Sequence, residues 1–115
     1  MATREDAELL VQLMRWGSEM GLEEAFEVLF APGFDPEAAS NNPAIGKVLS
    51  YGEAIGTFVK HGLLDADLVT DLIWVTGIWE RVRPHALAVR EEEHEPRLYE
   101  NFEALVQRTA PVGAH

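Results

Sequence analysis

The chain has 115 residues, 47% of them hydrophobic, no cysteine, and a formal net charge of -11 from nine Lys and Arg against twenty Asp and Glu. That balance disfavours a nucleic-acid backbone or an anionic membrane as partner, and the absence of cysteine excludes disulfides, thiol chemistry and Cys-ligated zinc. Length and apolar content suit a single domain over residues 1–115 with a real core; the acidic start Met-Ala-Thr-Arg-Glu-Asp has no signal-type apolar run, so a cytoplasmic protein is expected.

Thr3 followed by Asp6 has the spacing of a capping box. It opens a helical arm over residues 4–30 whose apolar positions include Leu9, Leu10, Leu13, Met14, Phe26 and Leu29. Gly17 and Gly21 weaken that arm, and a bend or break is expected near Gly17-Ser18. Ala31-Pro32-Gly33 ends it, and Asp35-Pro36-Glu37 reads as the cap and first turn of a one-turn helix before Ser40-Asn41-Asn42.

The centre of the chain is a predicted antiparallel hairpin of helices over 43–61 and 66–93. Asn42-Pro43 supplies an N-cap with proline in the first turn, His61-Gly62 a C-terminal stop, and Asp65 the next cap, with Leu64 and Val69 at the spacing of a hydrophobic staple. In the first limb Ile45, Val48, Leu49, Gly52, Ile55, Gly56 and Val59 form one apolar face, and Tyr51, Ala54 and Phe58 a second. Glycines cost a helix roughly 1 kcal/mol each, so a ring or backbone is expected to press close at Gly46, Gly52 and Gly56, with Gly52-x-x-x-Gly56 a packing notch. In the second limb Leu68, Leu72, Val75, Thr76, Trp79, Val82, Ala86, Leu87 and Arg90 share a face, and Pro84 is expected to kink the helix. Val48, Leu49, Gly52, Ile55, Leu72, Thr76 and Trp79 are predicted to be buried together.

A polar break at Glu91–Pro96 precedes a last helix over 96–108 carrying Leu98, Phe102, Leu105 and Val106, and residues 109–115 have no period and read as a loose tail. No alternating strand pattern occurs. The fold class is therefore all-α, an up-and-down helical bundle of about four main helices plus a one-turn helix.

Ser50-Tyr51-Gly52-Glu53-Ala54-Ile55-Gly56 running to Gly62-Leu63-Leu64-Asp65, then Trp79, Pro84 and Arg90, then Tyr99-Glu100-Asn101-Phe102-Glu103-Ala104-Leu105, resembles a bacterial family of small helical proteins known only as a domain of unknown function. The resemblance implies a helical fold and no activity. Some members are similar in carrying an N-terminal membrane helix, and this sequence shows no such apolar segment.

No catalytic constellation is complete in these residues, and an enzyme is not expected. Glu91-x-x-His94 has the spacing of half a di-iron site, but no second Glu-x-x-His accompanies it, so no metal and no cofactor are predicted. His85 near Glu80 or Arg81 has no serine or cysteine to activate. Glu53 lies in a helix apolar on most sides and needs a partner wherever it is buried. In an antiparallel hairpin, positions whose numbers sum to about 127 lie level, which puts Glu53 beside Trp74 and offers the indole N–H or Arg15 as donor. Tyr51, Glu53 and Trp74 are thus the candidate ligand-binding residues of a small-molecule or regulatory domain. Arg90 is read as structural, its guanidinium held by carbonyls or Asp35.

The leading functional reading is a protein-interaction or self-association module. The second helix of the hairpin overhangs the first by roughly 14 Å at 1.5 Å per residue, and it carries a further apolar line of Trp74, Ile78 and Val89, while the arm shows Phe30 and Phe34. A homodimer with a two-fold axis is the expected cover, with another protein a possible partner; the competing reading is that the N-terminal arm wraps the hairpin and buries these rings within one chain.

Overall fold

Thr3 and Asp6 start the structure. In the computed structural model, which describes residues 1–38 and 42–109, the Thr3 hydroxyl accepts from the Asp6 amide at 3.1 Å and the Thr3 amide donates to the Asp6 carboxylate at 2.6 Å. This reciprocal box satisfies two of the free donors at the start of helix α1, Arg4–Glu19. The same carboxylate accepts from the backbone of Asp65 at 3.1 Å, tying the start of the chain to the cap of a later helix.

The arm is two helices, and the break is not where glycine content alone put it. Helix α2, Leu22–Leu29, begins after Gly21, whose φ of 84° only glycine adopts without cost. Gly17, by contrast, stays inside α1 and is buried, with the Leu22 side chain and the Tyr51 ring occupying the space a Cβ would need. It is a packing glycine. After α2, Asp35 Oδ1 accepts from the Glu37 amide at 3.0 Å in a single turn; the rest of the expected one-turn helix lies outside the described residues.

Helix α3, Pro43–Lys60, is the axis of the fold, with α2, α5 and α6 all packed against it. Asn42 caps it through the Ala44 amide at 2.9 Å, and it ends in a Schellman motif: Gly62 at φ 73°, its amide on the Val59 carbonyl and the Leu63 amide on the Phe58 carbonyl. Ile45 and Leu49 are fully buried along it. Gly46, expected to be pressed, has open space beside it.

The second limb differs from the uninterrupted helix predicted over 66–93. Helix α4, Ala66–Leu72, capped by Asp65 on the Leu68 amide, stops at an extended Ile73. Trp74, at φ -79° and ψ 71°, is the centre of an inverse γ-turn closed by the Val75 amide on the Ile73 carbonyl at 2.9 Å. Helix α5, Val75–Glu92, then runs continuously through Pro84. The turn resets the helical phase, so Leu72, predicted for the core, is 52% exposed, while Trp79, Val82 and Ala86 keep their places inside. Thr76 and Leu87 likewise fall short of burial.

Helix α5 ends in a second Schellman motif with His94 at φ 55° in the position glycine usually fills; its amide reaches the Glu91 carbonyl, and the Glu95 amide the Arg90 carbonyl. The last helix, α6, Glu100–Thr109, starts later than predicted, after Tyr99 at φ 61°. It includes Thr109, predicted for the loose tail over 109–115, and the rest of that tail, 110–115, lies outside the described residues. With six helices and no strand among those residues, the fold is all-α.

Candidate functional site

Two polar clasps hold α6 in place, and both use residues the sequence marks out. Glu53 Oε1 accepts from the backbone amides of Asn101 and Phe102, each at 2.9 Å. These are the second and third residues of α6, the donors an N-cap side chain ordinarily serves. Tyr99, which precedes them, has no short side-chain oxygen to do it; a carboxylate from the axial helix acts instead. One turn along α3, the Thr57 hydroxyl donates to the Glu53 carbonyl at 2.7 Å and accepts from Asn101 Nδ2 at 3.0 Å. Between these two side chains lies the predicted notch: a Cβ at Gly52 would overlap the Phe102 ring, and one at Gly56 the Asn101 backbone. Phe102, buried, meets Trp79 edge-on with centroids 5.1 Å apart.

Arg90 forms the second clasp. Its Nε donates to the Leu98 carbonyl at 2.7 Å and its Nη2 to Glu103 at 3.0 Å. Its partners come from the α5–α6 connection and from α6 itself rather than from Asp35. Surface pairing adds an Arg97–Glu100 pair at 2.8 Å, which lowers the Glu100 carboxyl below its usual value through that hydrogen bond.

Tyr51 sits on the opposite side of α3. Its hydroxyl donates to the Leu13 carbonyl at 2.6 Å, its ring lies 5.2 Å from that of Trp16, and burial pushes the phenol above its ordinary pKa, so it stays a neutral donor. Tyr51, Glu53 and Trp74 are therefore not brought together. Glu53 is committed to α6, and Trp74, 68% exposed, stacks on Phe30 with centroids 6.0 Å apart.

Of the three, Tyr51 alone lines an apolar cleft beside α3. This cleft, about 260 Å³, opens between α1, α2, α3 and the α4–α5 turn, with Met14, Phe26, Tyr51, Ile73, Ile78 and Phe102 among its walls. Among the described residues its polar lining side chains besides Tyr51 are Ser18 and Glu23, both exposed. Sequence reasoning missed it, because Met14, Phe26 and Ile73 look like ordinary core positions and the turn that exposes them carries no glycine or proline.

Beside the cleft is an aromatic ledge. The Trp74 ring lies against Gly77, where a Cβ would overlap it, and the Arg81 guanidinium sits 5.3 Å over the Phe30 ring. Ile78, assigned from sequence to the same exposed line, is buried. His85 is half-buried on α5, its Nδ1 without a hydrogen-bond partner among the described residues. Glu91 and His94 are exposed, and among the described residues no group of three His, Asp or Glu side chains is placed to hold a metal ion. No helix among them is long and apolar enough to cross a membrane.

No curated protein and no solved structure matches the chain. The family model described as Domain of unknown function (DUF4760) matches residues 2–109, the span that holds all six helices and both clasps, and the chain belongs to that family.

Proposed function

We propose that the protein is a helical interaction module that self-associates as a two-fold homodimer through the ledge of Phe30, Trp74 and Arg81. The observation that carries this reading is Trp74: a tryptophan 68% exposed yet fixed, its ring seated on Gly77 and stacked on Phe30. Leaving that much indole in water forgoes burial at about 25 cal/mol per Å², and a lone flexible ring would be unremarkable where a pre-ordered one beside Phe30 and Arg81 is not. Tryptophan and arginine are, with tyrosine, the residues most enriched among interface anchors, the indole for its large rigid area and the guanidinium for its planar fork of donors. A second copy is the simplest occupant, since an isologous pair sets ledge on ledge. The overhang of a single long helix no longer enters the argument, because the limb turns at Ile73-Trp74. A cytoplasmic setting goes with the reading, where the charge of -11 keeps a small domain soluble.

Sedimentation equilibrium tests it. The wild-type chain is expected to show a mass above the monomer value of 12.8 kDa at micromolar concentration, and Trp74→Ser is expected to return it to that value with an unchanged helical circular-dichroism spectrum. A wild-type mass of 12.8 kDa throughout, or a dimer indifferent to Trp74→Ser, overturns the proposal.

A further inference from the structure

We infer that the cleft between α1, α2, α3 and the α4–α5 turn binds a small amphiphile with an apolar body and a neutral or cationic head, in chemical class a medium-chain alcohol or amine.

Volume comes first. Packed interiors leave few voids larger than a water molecule, and an apolar cavity of roughly 150 Å³ already holds benzene. At about 260 Å³ the cleft takes a larger ring or an aliphatic chain. Its depth is apolar: Val48, Ile55, Ile78, Phe102 and Leu105 are all buried residues. The single deep polar group, the Tyr51 hydroxyl, already donates to the Leu13 carbonyl and is held in its neutral form by burial. It offers a guest no free proton, so an acceptor group of the guest placed there would lose hydration without compensation, and the remaining walls at that depth are apolar. The body of the ligand is therefore hydrocarbon.

The mouth decides the head. Met14 and Leu72, 47% and 52% exposed, form an apolar rim that a guest would cover, and methionine adapts its shape at little cost. The polar rim is Ser18 and Glu23, and no Lys or Arg lines the cleft among the described residues. A carboxylate or phosphate head would meet Glu23 and a chain of net charge -11. An ammonium head would meet an acceptor, and a hydroxyl head would find Ser18. This disfavours the fatty-acid reading that an apolar cleft otherwise invites.

The test is titration of the full chain with decylamine, 1-decanol and decanoate, each below its micelle concentration. The titrations are run on the wild-type chain at several protein concentrations; Trp74 does not line the cleft, so an affinity that holds across them is independent of self-association. Decylamine and decanol are expected to bind, decylamine about tenfold more tightly than decanoate, as an exposed attraction and an exposed repulsion each change affinity by up to about fivefold. Glu23→Gln, at an exposed position, is expected to bring decylamine to the level of decanol and leave decanol unchanged. Amide shifts on binding are expected at Ile73 and Phe102, and Met14→Trp, which fills the rim, is expected to abolish them. Decanoate binding as tightly as decylamine overturns the assigned head, and a Glu23→Gln variant with unaltered amine affinity does the same. Failure of all three to bind the folded chain, or shifts that survive Met14→Trp, overturns the site.

Discussion

Removing the Glu53 carboxylate should loosen α6 first and the whole domain second. Both bonds fall on one oxygen, Oε1, at 2.9 Å from the Asn101 and Phe102 amides. Losing a side-chain cap costs about 0.5–2 kcal/mol in ordinary helices, and bonds to a charged acceptor stand at the upper end of the net hydrogen-bond range. The site is half-buried, so water replaces the carboxylate only in part. Glu53→Ala is therefore expected to cost about 2 kcal/mol, combining the cap with charge-assisted bonding. Glu53→Gln keeps an acceptor oxygen at the same reach and loses the charge facing the helix N-terminus, a change of about 0.3–1 kcal/mol. Glu53→Asp withdraws the oxygen by one methylene and should behave like the alanine variant. Equilibrium urea melts give the magnitudes, and amide hydrogen exchange gives the place: Asn101 and Phe102 should lose protection in the alanine variant before Ile45 or Leu49 do. An alanine variant within 0.5 kcal/mol of wild type (about the smallest difference such melts resolve), with exchange at Asn101 and Phe102 unchanged, would refute the reasoning.

The glycines of α3 should respond in opposite directions to one substitution. Gly46→Ala, with open space beside it, is expected to stabilise by up to about 1 kcal/mol through helix propensity, whereas Gly56→Ala, directed at the Asn101 backbone, should cost about 1–3 kcal/mol of overpacking; urea midpoints separate the two. His94→Gly should raise stability by about 1 kcal/mol, since the left-handed position in the α5 Schellman motif strains any residue with a Cβ, and a lower thermal midpoint would contradict it. Asp6 is held below its ordinary pKa of 3.8, first by the Thr3 amide, then by the Thr3 hydroxyl and, less, by the Asp65 amide. A depressed carboxyl contributes stability that is complete above the unfolded value and disappears as pH falls through the folded one. The difference in urea midpoint between wild type and Asp6→Asn should thus be flat above pH 5 or so and close below 3.8; a difference that persists at the acid end would remove the carboxylate from the account.

Helical caps were legible because they are local. Thr3 with Asp6, Asn42 with Pro43, His61 with Gly62, and Asp65 each act within one turn of chain, and each does what its spacing predicts. The two breaks were not legible in place. Gly17 and Gly21 weaken a helix equally, and which one turns is decided by Leu22 and Tyr51, whose side chains fill the space beside Gly17 and leave Gly21 to adopt positive φ. The turn at Ile73-Trp74 has no glycine or proline of its own. What marks it is Gly77, whose bare α-carbon accepts the Trp74 ring folded back along α5. Because that turn resets the phase, a stripe counted through it misplaces Leu72 while residues beyond it, such as Trp79 and Val82, still face the core.

The same distinction explains why the conspicuous polar residues are not where the candidate site is. A carboxylate, a phenol or a guanidinium in an apolar helix signals that it needs a partner, but the sequence does not say whether that partner is a ligand or the chain itself. Here each finds backbone: Glu53 the amides that open α6, Tyr51 the carbonyl of Leu13, Arg90 the carbonyl of Leu98. The reason is topological. Helix α6 starts after Tyr99, which supplies no cap, and it follows a connection that turns at two left-handed non-glycine residues, His94 and Tyr99. Local bonds in that connection, such as Arg97 to Glu100, lie at the surface, and side chains from α3 and α5 fasten it to the rest of the fold. Once those side chains are consumed by the fold, the surfaces we propose for recognition are mainly apolar and aromatic: the cleft behind Ile73 and the ledge of Phe30, Trp74 and Arg81. Both owe their shape to one inverse γ-turn, and a change that straightens it, such as Gly77→Ala driving the Trp74 ring off its seat, should disturb the cleft and the ledge together while leaving Glu53 on α6.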